Sequence, residues 1–435
     1  MIDAGYQSLA ELSDQSRKIT YGIVQPGKLH DEGVPIVRVN NFRGNSLDLT
    51  DRLSVAPEIE EKYHRSRPKP GDLLISLVGS IGQVAIAPDE IEGWNLARAV
   101  GLVPFDDIKK ARWAYFALQT ATSQQFIQAH ANTTVQATFN LKDLARIPVP
   151  QFKGEAQEEA LAALMLLDDK IELNRRMNET LEAMARAVFR DWFVDFGPTR
   201  RKAAGLTDPA AILGGLLTDP EKAAPLAALF PDSFGDNGLP EGWEAKPLDE
   251  IADFLNGLAL QKFPAKAGEE SLPVIKIAEL RGGVTAKSNR ASRDLPQKYI
   301  INDGDFIFSW SGSLMAKFWT EGEGALNQHL FKVSSEAYPA WFYSQWVYHH
   351  LDEFQRIAAS KATTMGHIQR GHLKAAPTVD PGETMLTAMG SITGSLLKLA
   401  IHNDLENQTL AATRDLLLPK LMSGALRLTG AEGEF

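Results

Sequence analysis

The chain carries a cluster of polar side chains that can form paired hydrogen bonds with the edges of nucleic acid bases. Arg38, Asn40, Asn41 and Arg43 lie at the end of the apolar run Val34–Val39. Arginine matches the O6 and N7 acceptors of guanine, and asparagine matches N6 and N7 of adenine, through two bonds each. These residue types, placed after a buried strand, predict a base-contacting loop.

The same arrangement returns in the second half of the chain. The run Leu272–Ile277 repeats the first apolar run, and it is followed by Glu279 and Arg281, with Lys276 near its end. Since the apolar parts agree and the polar parts differ, we predict two related surfaces with different specificities.

Two more loops are repeated in the same order. Gly-Ser turns at Ser80 and Ser313 follow the matching runs Gly71–Ser76 and Gly304–Ser309, and their backbone N–H groups suit phosphate. A third loop is polar in both copies. It holds Thr133, Thr134 and Gln136 in the first copy, and Thr363, Thr364, His367, Gln369 and Arg370 in the second.

A metal-dependent nuclease is an alternative interpretation of the acidic residues. Asp232, Glu244 and Lys246 match the loose pattern of two carboxylates that hold a divalent ion and a lysine that steadies water. The stretch between Asp232 and Glu244 is rich in glycine and proline, however, whereas this chemistry needs adjacent strands. We therefore attribute this match to chance in an acidic chain and keep the stand-alone nuclease only as an alternative.

Histidines are the other candidates for a metal site. His349 and His350 are adjacent, and His367 and His372 are five residues apart, so neither pair has the i, i+4 spacing of helical ligands. We predict surface or DNA-facing histidines and no metal. The chain also lacks a phosphate-binding loop of the Walker type.

Composition limits the classes of protein to which the chain can belong. The 435 residues are 44% hydrophobic, which supports more than one packed domain. Cysteine is absent, which excludes disulfides and thiolate sites and fits a reducing cytoplasm. The formal net charge is −10, so any DNA contact must be local to loops or shared with a basic partner. No apolar run is long enough to span a membrane.

Two α/β lobes are predicted to position the repeated loops. Residues 1–153 form the first lobe and residues 239–382 the second, with strands near Val34–Val39, Leu73–Leu77, Val274–Ile277 and Phe306–Ser309. In the first lobe we predict an amphipathic helix over Arg112–Ala129. Its inner side is formed by Trp113, Phe116, Ala117 and Phe126.

A long helix is predicted after each lobe. Residues 154–197 carry an unbroken 3-4 spacing of seam positions, which indicates a helix of about 60 Å. Residues 383–428 repeat this spacing, interrupted near the start by Gly390 and Gly394, and the two helices are predicted to pair with each other. The alternative is that each helix packs only on its own lobe. The matching seam positions are Leu167, Asn174, Leu181 and Val188 in the first helix, and Leu396, Asn403, Leu410 and Leu417 in the second.

The predicted fold class is therefore α+β. Two similar α/β lobes are separated by two antiparallel, coiled-coil-like helices, and the halves are related by a pseudo-two-fold axis. Residues 198–238 are rich in Ala, Gly, Pro and Leu and are predicted to be a linker with short helical pieces.

Several long motifs resemble one known family, the specificity subunits of type I restriction–modification systems. Its central conserved region is similar to Leu173–Ala185 and Phe189–Phe196, and the opening of its second target-recognition domain is similar to Leu239–Glu244. Its second conserved region is similar to Asn407–Leu410 and Leu418–Gly424. The resemblance covers essentially the whole chain, although residues 1–25 lack the Pro-Glu-Gly-Trp opening of the second lobe.

This resemblance implies a non-catalytic subunit that reads double-stranded DNA. Each lobe would read one half of an asymmetric, bipartite target, and the helices would set the gap between the halves. The helices would also dock two methyltransferase subunits and, through them, two restriction (motor) subunits. S-adenosylmethionine, ATP and magnesium would belong to those partners. The remaining alternative is a coiled-coil scaffold whose two lobes bind protein or peptide ligands.

Overall fold

The computed structural model describes residues 5–28, 30, 32–44, 46–131, 137–360 and 366–428. It divides into two compact units, one formed by Met1–Lys170 with Leu410–Phe435 and the other by Ile171–Thr409. Each unit contains one sheet-bearing lobe and a part of both long helices. The predicted fold class, two mixed α/β lobes with a long helix between them, is confirmed.

Lobe 1 is built on a four-stranded antiparallel sheet. Its order is Thr20–Tyr21, Val100–Val103, Leu73–Ser76 and Val84–Ile86. A three-stranded sheet of Leu53–Val55, Val34–Val37 and Asn95–Leu96 and two pairs, Tyr6–Ser8 with Pro148–Pro150 and Phe42–Arg43 with Ser46–Leu47, complete the strands. The core lies between the main sheet and a helix whose Trp113 and Phe116 are fully buried.

Lobe 2 repeats this plan. Its main antiparallel sheet has the order Asp253–Asn256, Leu330–Ser334, Phe306–Ser309 and Ala316–Phe318. The other strands are Arg290–Ser292, Ser271–Ile275, Gly324–Leu326 and Ile300–Ile301 in one sheet, and Glu244–Pro247 paired with Pro377–Asp380. Phe306–Ser309 agrees with its predicted bounds.

The other predicted strands are shorter or shifted because capped turns end them. The strand at Val34–Val37 stops where the Arg38 N–H donates to the Asn41 side chain over 2.8 Å. In lobe 2 the Lys276 N–H donates to Glu279 over 3.2 Å, and a helix, Ile277–Gly282, begins where the strand was predicted to continue.

The helix predicted over Arg112–Ala129 is two helices, Ile108–Gln119 and Ala121–His130. Thr120 separates them, because its hydroxyl donates to the Ala117 carbonyl and accepts from the Ser123 N–H. The remaining helices of lobe 1 are Leu9–Leu12, Pro57–Glu60 and Leu141–Ala145. Those of lobe 2 are Leu248–Ile251, Ala340–Ser360 and Arg370–Ala375, besides Ile277–Gly282.

Both predicted long helices are present. The first runs over Glu155–Phe189 and continues as a π-helical turn, Arg190–Val194. The second is Thr393–Met422, preceded by Glu383–Gly390 at a bend of 44°. That bent pair has the length and apolar content of a membrane span only when both parts are taken together. In the part of the chain described, no single helix meets this test.

The two long helices pair in antiparallel fashion in the second unit. Asn178 donates to the Ala400 carbonyl over 2.9 Å and to Asp404 over 2.8 Å, whereas Asn174, one turn earlier, donates to Glu406 over 2.7 Å. In the first unit, Arg414 and Asp168 form an ion pair at 2.9 Å. The helix ends also pack on the lobes, so the two sequence interpretations each describe a part of these helices.

The segment at 198–238 is more ordered than the linker that its composition predicts. It contains the helices Gly197–Ala203, Pro209–Ile212 and Pro220–Leu229. Its Phe230 ring lies edge-on to Trp192 at 5.2 Å, and both side chains are buried. Because its apolar residues enter the core of the second unit, this segment is a folded part of that unit.

Candidate nucleic-acid interface

The basic residues at the ends of the repeated strands have equivalent surroundings in the two lobes. Arg38 contacts Asp51 at 2.6 Å, and Lys276 donates to Asn289 at the corresponding position, also over 2.6 Å. Both side chains are half-buried. Each side chain keeps further N–H donors beyond this contact.

Asn41 lies in the predicted base-contacting loop, but its side chain points inward. It is 1% exposed, and its amide nitrogen donates to the carbonyls of Asp48 and Asp51 at 2.9 and 3.0 Å. Glu279 takes the same capping place in lobe 2 and is 6% exposed. The burial of Asn41 argues against the predicted base contact. Its hydrogen bonds instead hold the conformation of the loop.

The remaining predicted residues of this loop, and of its counterpart in lobe 2, face solvent. Asn40 and Arg281 are exposed, and the Arg43 side chain is 62% exposed while it contacts Asp48 at 3.4 Å. Arg281 borders a groove of about 460 Å³ with the Gly-Ser turn at Ser313 and with Gly366. The structure thus brings the three predicted loops of lobe 2 together at one groove.

The Gly-Ser turns are built alike in the two lobes. A buried serine at the strand end, Ser309, donates to the Ser313 carbonyl over 2.7 Å and accepts from the Met315 N–H over 3.0 Å. Ser76 makes the same two bonds, to the Ser80 carbonyl and from the Gln83 N–H. Ser80 and Ser313 themselves are exposed, so their turns are open to a ligand.

The third repeated loop lies beside the Gly-Ser turn in both lobes. Gly79 N–H donates to the Ala137 carbonyl over 3.2 Å, and Gly312 N–H donates to the Gly366 carbonyl over 2.7 Å. The tip residues predicted to contact DNA lie outside the described residues. They are Thr133, Thr134 and Gln136 in lobe 1, and Thr363 and Thr364 in lobe 2.

The C-terminal side of this loop in lobe 2 is described. His367 is half-buried, with its ring edge-on to Trp310 at 6.2 Å. Gln369 is exposed at the start of a helix. Arg370 is also exposed, donates to the Phe254 carbonyl over 2.9 Å and lies over the Phe331 ring. All three residues share the sheet edge at which Phe306–Ser309 ends.

Sequence reasoning missed four polar side chains at this edge, Asn256, Trp310, Gln328 and His329. Trp310 directly follows a predicted strand, so its position gave a usable signal. Gln328 and His329 reach the edge only because Leu330–Ser334 runs antiparallel to Phe306–Ser309. That pairing joins segments that are distant in sequence, so local sequence patterns do not predict it.

Of the three residues that match the nuclease pattern, Lys246 has structural partners. Lys246 donates to Asp380 over 2.6 Å and to the Tyr338 hydroxyl over 2.9 Å, and these bonds raise its pKa. Its salt bridge joins the strands Glu244–Pro247 and Pro377–Asp380, while Glu244 and Asp232 are exposed. Among the residues with assigned positions, no group of three His, Asp or Glu side chains is placed to hold a metal ion.

Of the adjacent histidines, His350 belongs to the interior of lobe 2, contrary to the prediction of a surface residue, whereas His349 is exposed. His350 is 5% exposed, its Nε2 lies 2.8 Å from the Pro377 carbonyl, and its ring stacks on Trp346. Burial lowers the pKa of both His350 and His349. His372 accepts a bond from the Gln369 N–H over 2.8 Å.

The long helices present two apolar faces. The first is the seam, where Asn174, Asn178 and Asn403 are also buried. Of the seam positions identified from sequence, Leu181 and Val188 are buried, while Leu167, Leu396, Leu410 and Leu417 are half-buried. The second face is a stripe on the first helix, formed by Leu173, Met177 and Met184, which are 55%, 38% and 42% exposed.

Comparisons with known proteins agree with this arrangement. The family described as type I restriction modification DNA specificity domain matches twice, at residues 17–183 and 240–377. The specificity subunit of the type I restriction enzyme HindI of Haemophilus influenzae is 24% identical over 340 residues, 69% of this chain and 73% of that protein. The MjaIX specificity subunit of Methanocaldococcus jannaschii is 22% identical over 401 residues, 89% of this chain and 85% of that protein.

A solved structure supports the fold. The crystal structure of the type I restriction-modification S subunit from M. genitalium matches with a TM-score of 0.50 and 14% identity, over 98% of this chain and 97% of that one. The double family match also confirms that the chain is internally repeated. The chain therefore belongs to the type I restriction–modification DNA specificity family.

Proposed function

We propose that this chain reads an asymmetric, bipartite sequence in double-stranded DNA, one half with each lobe. One observation carries the proposal. Each lobe assembles its Gly-Ser turn and the base of its third loop with the same main-chain hydrogen bonds, yet the neighbouring side chains differ between the lobes. Two related readers with different side chains suit a target whose two halves differ.

The paired long helices set the distance between the two halves in this proposal. Their support is the buried asparagine network, because polar residues in an otherwise apolar seam fix helix register. A fixed register would keep the length of the paired helices constant. The recognised sequence would then contain a gap of constant length.

The exposed stripe on the first helix supports docking of methyltransferase subunits. Leu173, Met177 and Met184 follow the 4- and 7-residue spacing of a second helix–helix seam, and they are exposed. An apolar stripe at helical spacing is the surface that an amphipathic partner helix covers. Two methyltransferase subunits and, through them, two restriction subunits complete the proposed complex.

The chemistry of the complex is assigned to those partners. S-adenosylmethionine would serve the methyltransferase subunits, and ATP and magnesium the restriction subunits, in the cytoplasm. The net charge of −10 disfavours phosphate binding, so basic surfaces of the partners would supply most of the phosphate contacts. We therefore expect weak DNA binding by the isolated chain, and specific binding once basic partner surfaces are present.

Co-expression with the cognate methyltransferase subunit tests the proposal. Methylated adenines are mapped across the genome of a host that lacks other adenine methylation. The proposal requires an asymmetric motif with a gap of fixed length, absent when this chain is omitted. Methylation without a motif, or with a motif of one continuous block, would contradict it.

A further inference from the structure

The two lobes share one main-chain framework at the edge of their main sheets. Gly22 and Gly257 both lie where a Cβ would collide with a carbonyl, at 1.9 Å from Leu96 and 2.3 Å from Asn327. Four hydrogen bonds of this edge recur. In each pair the N–H of the first residue donates to the carbonyl of the second. In lobe 1 the pairs are Gly22 and Val100, Leu77 and Ala99, Arg98 and Ile23, and Gly79 and Ala137. The corresponding pairs in lobe 2 are Gly257 and Leu330, Trp310 and His329, Gln328 and Leu258, and Gly312 and Gly366.

This framework defines which residues of the two lobes are equivalent. At three positions lobe 1 has an apolar side chain and lobe 2 has one that forms hydrogen bonds, and at three more both are capable of hydrogen bonding but differ in type. The first three pairs are Leu77 and Trp310, Val78 and Ser311, and Ala99 and His329; the others are Tyr21 and Asn256, Arg98 and Gln328, and Thr138 and His367.

In lobe 2 these side chains form a network on a half-buried surface. Trp310 Nε1 donates to Asn256 over 2.9 Å, and Ser311 Oγ lies 3.0 Å from His329 Nδ1. Nε2 of His329 lies 3.3 Å from the amide nitrogen of Gln328. An amide N–H directed at Nε2 pairs with the ring tautomer that has its proton on Nδ1, on the side of Ser311 Oγ.

The network leaves Gln328 with a defined pair of open hydrogen-bonding groups. One N–H of its amide is directed to His329. The other N–H and the carbonyl oxygen have no partner among the residues that the structure describes, so both remain for a ligand. One donor beside one acceptor matches N7 and N6 of adenine in the major groove. The side chain is half-buried, so the network holds it at the surface.

Lobe 1 presents a different chemistry at the same place. Arg98 is exposed, and it forms no ion pair with any residue whose position the structure describes. Its main-chain N–H donates to Ile23 over 2.9 Å, as that of Gln328 donates to Leu258 over 2.9 Å. A guanidinium offers two parallel donors, which match O6 and N7 of guanine.

We infer that Arg98 and Gln328 are equivalent specificity-determining residues, Arg98 selecting guanine in the half-site of lobe 1 and Gln328 selecting adenine in that of lobe 2. The inference rests on the proposed function and specifies it. It predicts that one residue in each lobe fixes one base, independently of the other lobe.

Reciprocal exchange of the two side chains tests this inference. Arg98→Gln and Gln328→Arg are each prepared in the complex with the methyltransferase subunit. Competitive binding is measured with duplexes that carry the wild-type motif or single-base changes in it. Gln328→Arg should shift the preference at one position from adenine to guanine by about tenfold or more, and Arg98→Gln should do the reverse in the other half-site. Gln297→Arg, an exposed control, should change neither half-site.

Gln328→Ala separates the inference from the proposed function. It should lower adenine selectivity at one position to near zero while the other half-site stays unchanged. Full selectivity at every position in Gln328→Ala, or unchanged preferences in both exchange variants, would overturn the inference and leave the bipartite motif intact. A wild-type complex with no bipartite motif would instead refute the proposed function.

Discussion

Asn403 donates a hydrogen bond from Nδ2 to Oδ1 of Asn178 over 2.9 Å, between the two long helices. The two side chains are only 4% and 8% exposed. Asn178 in turn donates to the Ala400 carbonyl and to Asp404, so its amide is satisfied at both its oxygen and its nitrogen within the seam. Breaking one member leaves a buried polar group without its partner, which costs more than the bond itself contributes.

Removal of one amide from this seam should destabilise the chain. We expect Asn403→Ala to lower the free energy of unfolding by about 1–3 kcal/mol, because the Asn178 carbonyl then stays buried without a donor. Denaturant unfolding measures the effect. Gln408→Ala, exposed on the same helix, is the control and should stay within about 0.5 kcal/mol of wild type. Equal effects of the two substitutions would contradict this role of the seam.

The spacing of the half-sites should follow the length of the first long helix. Four residues inserted near Arg176 lengthen a helix by about 6 Å. The gap of the recognised motif should grow by one or two base pairs while both half-sites keep their bases. Four residues inserted after Asp236, in the glycine-rich connection, should leave the gap unaltered. An altered half-site with an unaltered gap would be incompatible with helices that set the spacing.

A charge on the exposed stripe should weaken docking of the methyltransferase subunit. Met177→Lys places a charge where a partner helix would pack, and we expect its apparent affinity for that subunit to fall at least tenfold. Glu179→Lys is the matched control, because residues two apart on a helix lie on different faces. Analytical ultracentrifugation of the purified mixtures reports assembly. If both variants assemble as the wild type does, the methyltransferase subunit does not bind at the exposed stripe.

The Asp404 carboxyl should make stability depend on pH. Burial raises its pKa, against the opposing effects of Lys317, of the Asn178 hydrogen bond and of Arg175. A raised pKa in the folded state means that folding favours the protonated acid, and this contribution is lost as pH rises through the folded-state pKa. Asp404→Asn should therefore raise the melting temperature at pH 7, and the gain should vanish below the ordinary aspartate pKa of about 3.9. A loss of stability of the same size at both pH values would exclude this explanation.

Sequence patterns predicted the parts of this molecule that local periodicity determines. The strand Phe306–Ser309 and the buried positions Asn174, Leu181 and Val188 follow from apolar spacing alone. The orientation of Asn41 does not, because its inward position depends on the carbonyls of Asp48 and Asp51 across a turn. Likewise His329 reaches Ser311 only because Leu330–Ser334 pairs with Phe306–Ser309. The polar side chains at this sheet edge could therefore be identified only from the tertiary structure.

Exchange of one lobe tests whether each lobe reads its own half of the target. Residues 1–150 are replaced by the first lobe of another family member, and the methylated motif is mapped in the complex with the methyltransferase subunit. We expect a new sequence in one half-site, with the other half-site and the gap unchanged. A change in both half-sites, or in neither, would contradict the claim that each lobe reads its own half of the target.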